Sequence, residues 1–136
     1  PKDKDPIVLR LCKRIAKEIN CDWKHFENYQ VIHYNPGEEY KYHYDAYDKK
    51  DLEKYTEFCG EKGNRLKTVL VYLNDVEEGG GTRFQTINKK IDAKKGRIVV
   101  FENVNKDNVL YKRSLHAGLP VIKGEKWAFN LWLREK

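Results

Sequence analysis

The chain is poor in cysteine: Cys12, Cys21 and Cys59 are the only three in 136 residues, and no two form a CxxC pair. That is too sparse for a disulfide framework and speaks against a cysteine-built zinc site. A reducing compartment fits this usage, and a cytoplasmic location is the expectation. No apolar run approaches the ~20 residues of a membrane-spanning helix, so no membrane partner is expected. The opening residues, PKDKDPIV, lack the hydrophobic stretch of a signal peptide. They lead almost directly into a helix, which leaves room for further elements upstream of residue 1. Internal repeats, low-complexity tracts and nucleophile motifs are also missing.

What is present is globular. Hydrophobic residues make up 40% and charged residues 35%, which excludes a disordered chain. One domain spanning residues 1–136 is expected, large enough to bury roughly two-thirds of its unfolded surface. The formal net charge is +6, from 27 Lys and Arg against 21 Asp and Glu. Such an excess can attract nucleic acid. Acidic residues are interleaved nearly everywhere, however, so a solvated surface is the plainer reading and nucleic acid is not the expected partner.

The first element reads as a helix. Asp5 suits the N-cap and Pro6 the first turn. Val8, Leu11, Cys12, Ile15 and Ile19 then recur at helical spacing, a packing stripe without chemistry. From Tyr29 onward the pattern becomes short β-rich runs: 29–34, 40–47, 67–73, 97–101, 119–122 and 126–133. NPGE, DVEEGGG, KKG and KGEK punctuate them. Many short strands after one helix imply a mainly β sandwich or barrel with a helical support. The stretch 48–64 has no strand character, and so long a charged loop is expected to be a lid, with DLEKYTEF able to form a helical turn.

In the last strand, Trp127, Phe129, Leu131 and Leu133 alternate with Lys126, Ala128, Asn130 and Trp132, so the two sets face opposite ways. If the apolar set packs inward on the core or helix, Lys126 can face a ligand cavity. It can equally face solvent on an edge strand, and spacing leaves both open. His43 and Asp45, two apart on an expected strand, project to one face. With His116 as a third ligand they offer two imidazoles and one carboxylate, the facial triad of non-haem Fe(II) oxygenases. An HxD pair alone is a weak signal, and a lone histidine is more often a hydrogen-bonded structural residue. His33 has no carboxylate two residues on.

The segments YQVIHYNPGEEYKYHYDAY, RLKTVLVYLNDVEEGGGTRF, KKGRIVVFEN and SLHAGLPVIKGEKWAFNLW resemble, in order, the catalytic domain of prolyl 4-hydroxylases. The HxD pair, the YLNDVEEGG turn and an HxG followed by a lysine before tryptophan carry most of the likeness. The resemblance implies a double-stranded β-helix, a jelly-roll or cupin-like barrel. It implies Fe(II) on His43, Asp45 and His116, and Lys126 paired with the distal carboxylate of 2-oxoglutarate. Tyr34 and Thr82 match positions that hydrogen-bond this cosubstrate, and Tyr40, Arg65 and Trp132 match positions near the substrate.

The implied reaction consumes O2 and 2-oxoglutarate, with ascorbate as reductant, and hydroxylates a proline-containing peptide or protein with release of succinate and CO2. It needs no protein nucleophile, in keeping with the missing motif. The tyrosines Tyr40, Tyr42, Tyr44 and Tyr47, with Trp132, either pack such a peptide or merely fill the barrel. Two features depart from the family: Gly81 stands where an acidic residue is usual, and the customary N-terminal strands are missing. The rival expectations are a same-fold oxygenase acting on nucleic acid and a non-catalytic jelly-roll binding module.

Overall fold

The computed structural model describes residues 1–136. Helix α1 spans Pro6–Glu18 and starts on the expected cap: the Asp5 carboxylate accepts from the amides of Ile7 at 2.8 Å and Val8 at 3.1 Å. Pro6 sits in the first turn, where a missing N–H costs nothing. The buried face of α1 is Cys12, Ile15 and Ala16.

The strands are β1 Gln30–Tyr34, β2 Tyr40–His43, β3 Arg65–Tyr72, β4 Glu78–Gly79, β5 Thr82–Phe84, β6 Lys89–Ile91, β7 Ile98–Glu102, β8 His116–Gly118, β9 Val121–Lys123 and β10 Lys126–Arg134. A second helix, α2, covers Leu52–Cys59. A major sheet runs β1-β10-β3-β7, a minor sheet β2-β8-β5-β6, and β4 pairs with β9; every pairing is antiparallel. This is the double-stranded β-helix that the sequence resemblance implied. No helix is long and apolar enough to cross a membrane.

Period-2 alternation builds the layers. Val69 and Val71 of β3, with Phe129, Leu131 and Leu133 of β10, cluster with the buried face of α1. Their neighbours Leu70, Tyr72 and Ala128 point the other way and cluster with Phe84, Ala93 and Val99. Each buried Val, Leu or Phe side chain among them contributes about 1.5–3 kcal/mol. Trp127 is the exception on the helix-facing set: at the strand's outer end it is 40% exposed and stacks on His33 at 4.1 Å.

Two of the expected strands are shorter than their β-rich runs. The run 40–47 is not one strand, because β2 stops at His43. Beyond it, Asp45 and Ala46 turn into the interior, and Tyr47 finds its partner in a side chain. The short strands β4, β5, β6 and β8 carry no sequence signal, since two or three residues show no alternation. The run 119–122 starts only at Val121, after Pro120, which has no N–H to give a ladder.

Within 48–64 the expected helical turn over DLEKYTEF is α2, capped by Asp51, which accepts from the Lys54 amide at 3.3 Å, and a 3₁₀ turn follows at Gly60–Lys62. The base of the stretch is closed by Asn64, wholly buried, whose side chain accepts from Tyr47 N at 3.0 Å and donates to Tyr47 O at 2.8 Å. Gly81, the departure from the family pattern, has a steric reason here. A Cβ there would lie 2.6 Å from the Ile91 carbonyl oxygen, so only glycine lets the chain pass β6 this closely.

Candidate active site

The two sheets enclose a cavity of about 280 Å3. That is just under the usual range of about 300–1,000 Å3 for pockets holding drug-sized ligands, and it suits a small acid. His43 ends β2 and is register partner to His116, the first residue of β8. This cross-strand pairing sets the two imidazoles side by side, ring centroids 4.3 Å apart. Asp45 reaches the same point from the turn after β2.

Backbone carbonyls fix both rings. His43 Nδ1 lies 2.7 Å from Lys41 O and His116 Nδ1 2.7 Å from Ser114 O. A carbonyl can only accept, so each Nδ1 carries a proton, and in the neutral, metal-binding form of the ring each Nε2 turns a lone pair inward. Asp45 Oδ1 lies 3.2 Å from His43 Nε2 and 3.7 Å from His116 Nε2. All the candidate ligand atoms lie within 4.8 Å of one another. Ligands at about 2.1 Å from one ion, in neighbouring positions, sit roughly 3 Å apart. Two lone pairs and a carboxylate oxygen aimed at one point ask for a cation, and the donor set suits Fe(II) with open positions opposite.

Burial would raise the Asp45 carboxyl, but hydrogen bonding to the protonated form of His43, the charge of protonated His116, Thr68 and Trp132 together hold it at about 2. Burial would lower His43, which Asp45 and the Lys41 carbonyl outweigh, leaving it raised. In the deeper His116 burial wins over the pull of Asp45, and it is lowered.

Lys126 occupies another part of the cavity wall, beside Tyr34, its register partner on β1. It is 2% exposed, which decides between the two readings of β10: it faces inward. Its Nζ has the rings of Tyr34 and Tyr72 at 5.4 Å each, but no carboxylate and no hydrogen-bond acceptor. Burial pushes its pKa down to about 8. Thr82 also lines the cavity, with its Oγ1 2.6 Å from Tyr72 Oη.

Tyr40, Tyr44, Tyr47, Arg65 and Trp132 line the cavity too, whereas Tyr42 does not. Tyr40 is 54% exposed and sets its ring edge-on to His43 at 4.2 Å. Arg65 and Trp132, expected near the substrate, have their polar groups engaged elsewhere. Arg65 grips Glu27 with two hydrogen bonds, at 2.7 and 3.1 Å, and stacks on Trp132 at 3.6 Å. Trp132 Nε1 donates to Asp45 Oδ2 at 3.1 Å. Glu27 also receives Arg134 at 2.6 Å, and Arg134 donates to the Phe58 and Gly63 carbonyls in and after α2.

Sequence reasoning missed Thr68, whose hydroxyl donates to Asp45 Oδ2 at 2.6 Å. Alternation along β3 carried the signal, since Thr68 shares the inward face with Leu70 and Tyr72. Glu27 gave no signal, lying in the irregular stretch before β1.

A jelly roll with a two-histidine, one-carboxylate cluster and a buried lysine across the cavity defines a class of metal-dependent oxygenase folds. The model of the 2OG-Fe(II) oxygenase superfamily matches residues 29–134, and the chain belongs to that superfamily. It is 37% identical over 133 residues to a putative prolyl 4-hydroxylase of Acanthamoeba polyphaga mimivirus, covering 97% of this chain and 54% of that one. It is 34% identical to prolyl 4-hydroxylase subunit alpha-1 of Rattus norvegicus, covering 97% of this chain and 24% of that one.

The chain thus spans about half, or less, of the length of the curated relatives it matches. Among solved structures it is similar to the viral collagen prolyl hydroxylase of Paramecium Bursaria Chlorella virus-1 in its 2OG complex. That likeness has TM-score 0.79 and 36% identity, over 97% of this chain and 74% of the other. A Pseudomonas putida prolyl-4-hydroxylase, at 18% identity and TM-score 0.64, shares the fold.

Proposed function

We propose that the chain is an Fe(II)- and 2-oxoglutarate-dependent dioxygenase that hydroxylates peptidyl proline to 4-hydroxyproline. The observation that carries this reading is Lys126, a buried cation without an anion in a cavity whose wall also holds the histidine–aspartate cluster. A plain binding module needs neither feature. The relatives, named as prolyl 4-hydroxylases, support the choice of substrate.

His43, Asp45 and His116 would hold Fe(II). Bound iron supplies the oxidation, in which 2-oxoglutarate and O2 become succinate and CO2 while one oxygen atom enters the substrate. Lys126 fixes the distal carboxylate by a charge-assisted hydrogen bond, made strong by exclusion of water. Tyr34 and the Thr82–Tyr72 hydroxyl pair supply the remaining polar contacts of the cosubstrate. The protein's share is orientation and dryness, and no side chain acts as nucleophile.

Tyr40, exposed beside His43, is the substrate contact we favour, with Arg65 and Trp132 forming the wall behind it. Ascorbate is the reductant proposed to keep the iron ferrous. A reducing compartment is proposed as well, because Cys12, Cys21 and Cys59 are all free.

The test is succinate release with Fe(II), 2-oxoglutarate and O2 across a panel of proline peptides, with and without ascorbate. Methylated DNA serves as the competing substrate. Turnover dependent on a proline peptide, with hydroxyproline in the product, supports the proposal. Turnover driven by DNA alone, or none with any substrate, overturns it.

A further inference from the structure

A carboxylate that binds a metal through one oxygen must have the other oxygen occupied, or it drifts toward two-oxygen binding. Asp45 Oδ1 faces the two histidines, while Oδ2 accepts from Thr68 Oγ1 at 2.6 Å and Trp132 Nε1 at 3.1 Å. The indole has a fixed direction. The hydroxyl rotates freely, and its single proton needs a reason to point at Asp45.

Asn103 supplies one. It follows directly on β7, is 0% exposed, and its Nδ2 donates to Thr68 Oγ1 at 2.8 Å. An amide nitrogen only donates, so the threonine oxygen must receive there, and its own proton is left for Asp45 Oδ2. The Asn103 backbone is tied on both sides: its amide donates to Leu66 O at 2.9 Å, and its carbonyl accepts from Tyr111 N at 2.9 Å. Turning the side-chain amide over would bring Oδ1 against Thr68, draw the hydroxyl proton away, and leave Asp45 Oδ2 facing a lone pair. Asn103 Oδ1 has no hydrogen-bond partner, the one such buried side-chain atom in the chain. The amide's one side-chain hydrogen bond is thus the one its Nδ2 makes to Thr68.

We propose that Asn103 is a positioning residue: acting through Thr68, it holds Asp45 in one-oxygen ligation of the metal. The inference rests on the reading of Asp45 as a ligand, and it predicts behaviour that residues outside the ligand set control.

Co(II) alone is the probe, with affinity from titration and geometry from its visible absorption bands, alongside thermal melting of each variant. Removing an outer hydrogen bond to a ligand typically weakens metal affinity about 10–100-fold. Thr68→Val, which keeps the shape and deletes the proton, should lose roughly that much and shift the bands. Thr68→Ser should restore both, and Asn103→Leu should resemble Thr68→Val. A merely structural role would lower the melting temperature and leave affinity and bands unmoved.

If Asn103→Leu fails to fold, the Thr68 valine and serine pair decides. Thr68→Val with parental affinity and bands overturns the inference while the metal assignment stands. A parent that shows no Co(II) binding dependent on His43, Asp45 and His116 overturns the functional reading, and this inference with it.

Discussion

Lys126→Met keeps most of the side chain's length and apolar stem while deleting its charge, and the consequences for stability and for ligand binding should have opposite signs. In the ligand-free protein the charge is a burden. Lys126 is 2% exposed, lacks a counter-ion, and is pushed from the ordinary 10.5 down to about 8 by burial. Below about pH 8 folded and unfolded chains both carry the proton, and the folded chain bears the full penalty. Between about pH 8 and 10.5 the unfolded chain keeps a proton the folded chain has lost, so stability rises with pH across that window. At about 1.4 kcal/mol for each pH unit separating the two values, the penalty near neutral pH is about 3 kcal/mol.

Lys126→Met should therefore stabilise the ligand-free protein by up to about 3 kcal/mol, or roughly 10 °C in Tm at about 4 °C per kcal/mol. With 2-oxoglutarate the sign reverses. A distal carboxylate buried without its cation loses about 3–5 kcal/mol. At about 1.4 kcal/mol per tenfold, affinity falls by roughly two to three orders of magnitude. Calorimetric titration of 2-oxoglutarate into the Mn(II)-loaded parent and variant, with melts of both, reads the two effects separately. Parental affinity in the variant would refute Lys126 as the anchor. An unchanged melting temperature without ligand would refute the unpaired burial.

The parent's affinity for 2-oxoglutarate should also decline as pH rises through about 8, because the neutral amine must first take up a proton. Lys126→Arg should bind with intermediate affinity and lose that decline, since a guanidinium stays charged.

His43→Ala, Asp45→Ala and His116→Ala should each abolish substrate-dependent succinate formation while circular dichroism stays parental. Asp45→Glu should fail badly too, because its longer arm misplaces the oxygen; near-normal turnover in two of the alanine variants would sink the metal assignment. If the excursion 48–63 closes on substrate, saturating peptide should slow hydrogen exchange in α2, whereas the buried Asn64 should already be protected without it; unchanged exchange in α2 counts against closure. Gly81→Ala should cost about 1–3 kcal/mol in denaturant unfolding, because its Cβ meets the Ile91 carbonyl at 2.6 Å, and a parental midpoint would show that β6 gives way.

The sequence by itself determined what local chemistry and periodicity decide. The Asp5–Pro6 start of α1 was legible because a cap needs only neighbouring residues. The split of β10 into a helix-facing and a cavity-facing set followed from alternation, which is a property of the pleat itself. The metal cluster could be read because a distinctive motif order spans most of the chain. Other features depend on contacts between residues distant in sequence. Alternation could not say whether the polar face of β10 met water or a cavity; the minor sheet lying over it decided that Lys126 is buried.

The end of β2 at His43 was likewise tertiary, set by Asn64 capturing Tyr47 from across the excursion. So was the support of Asp45 by Thr68, Asn103 and Trp132, drawn from three strands or their ends and silent as a motif. A hydrogen bond between side chains far apart in the chain leaves no spacing to read. It exists only once sheet packing has removed water from around both groups, and that happens in the folded molecule alone.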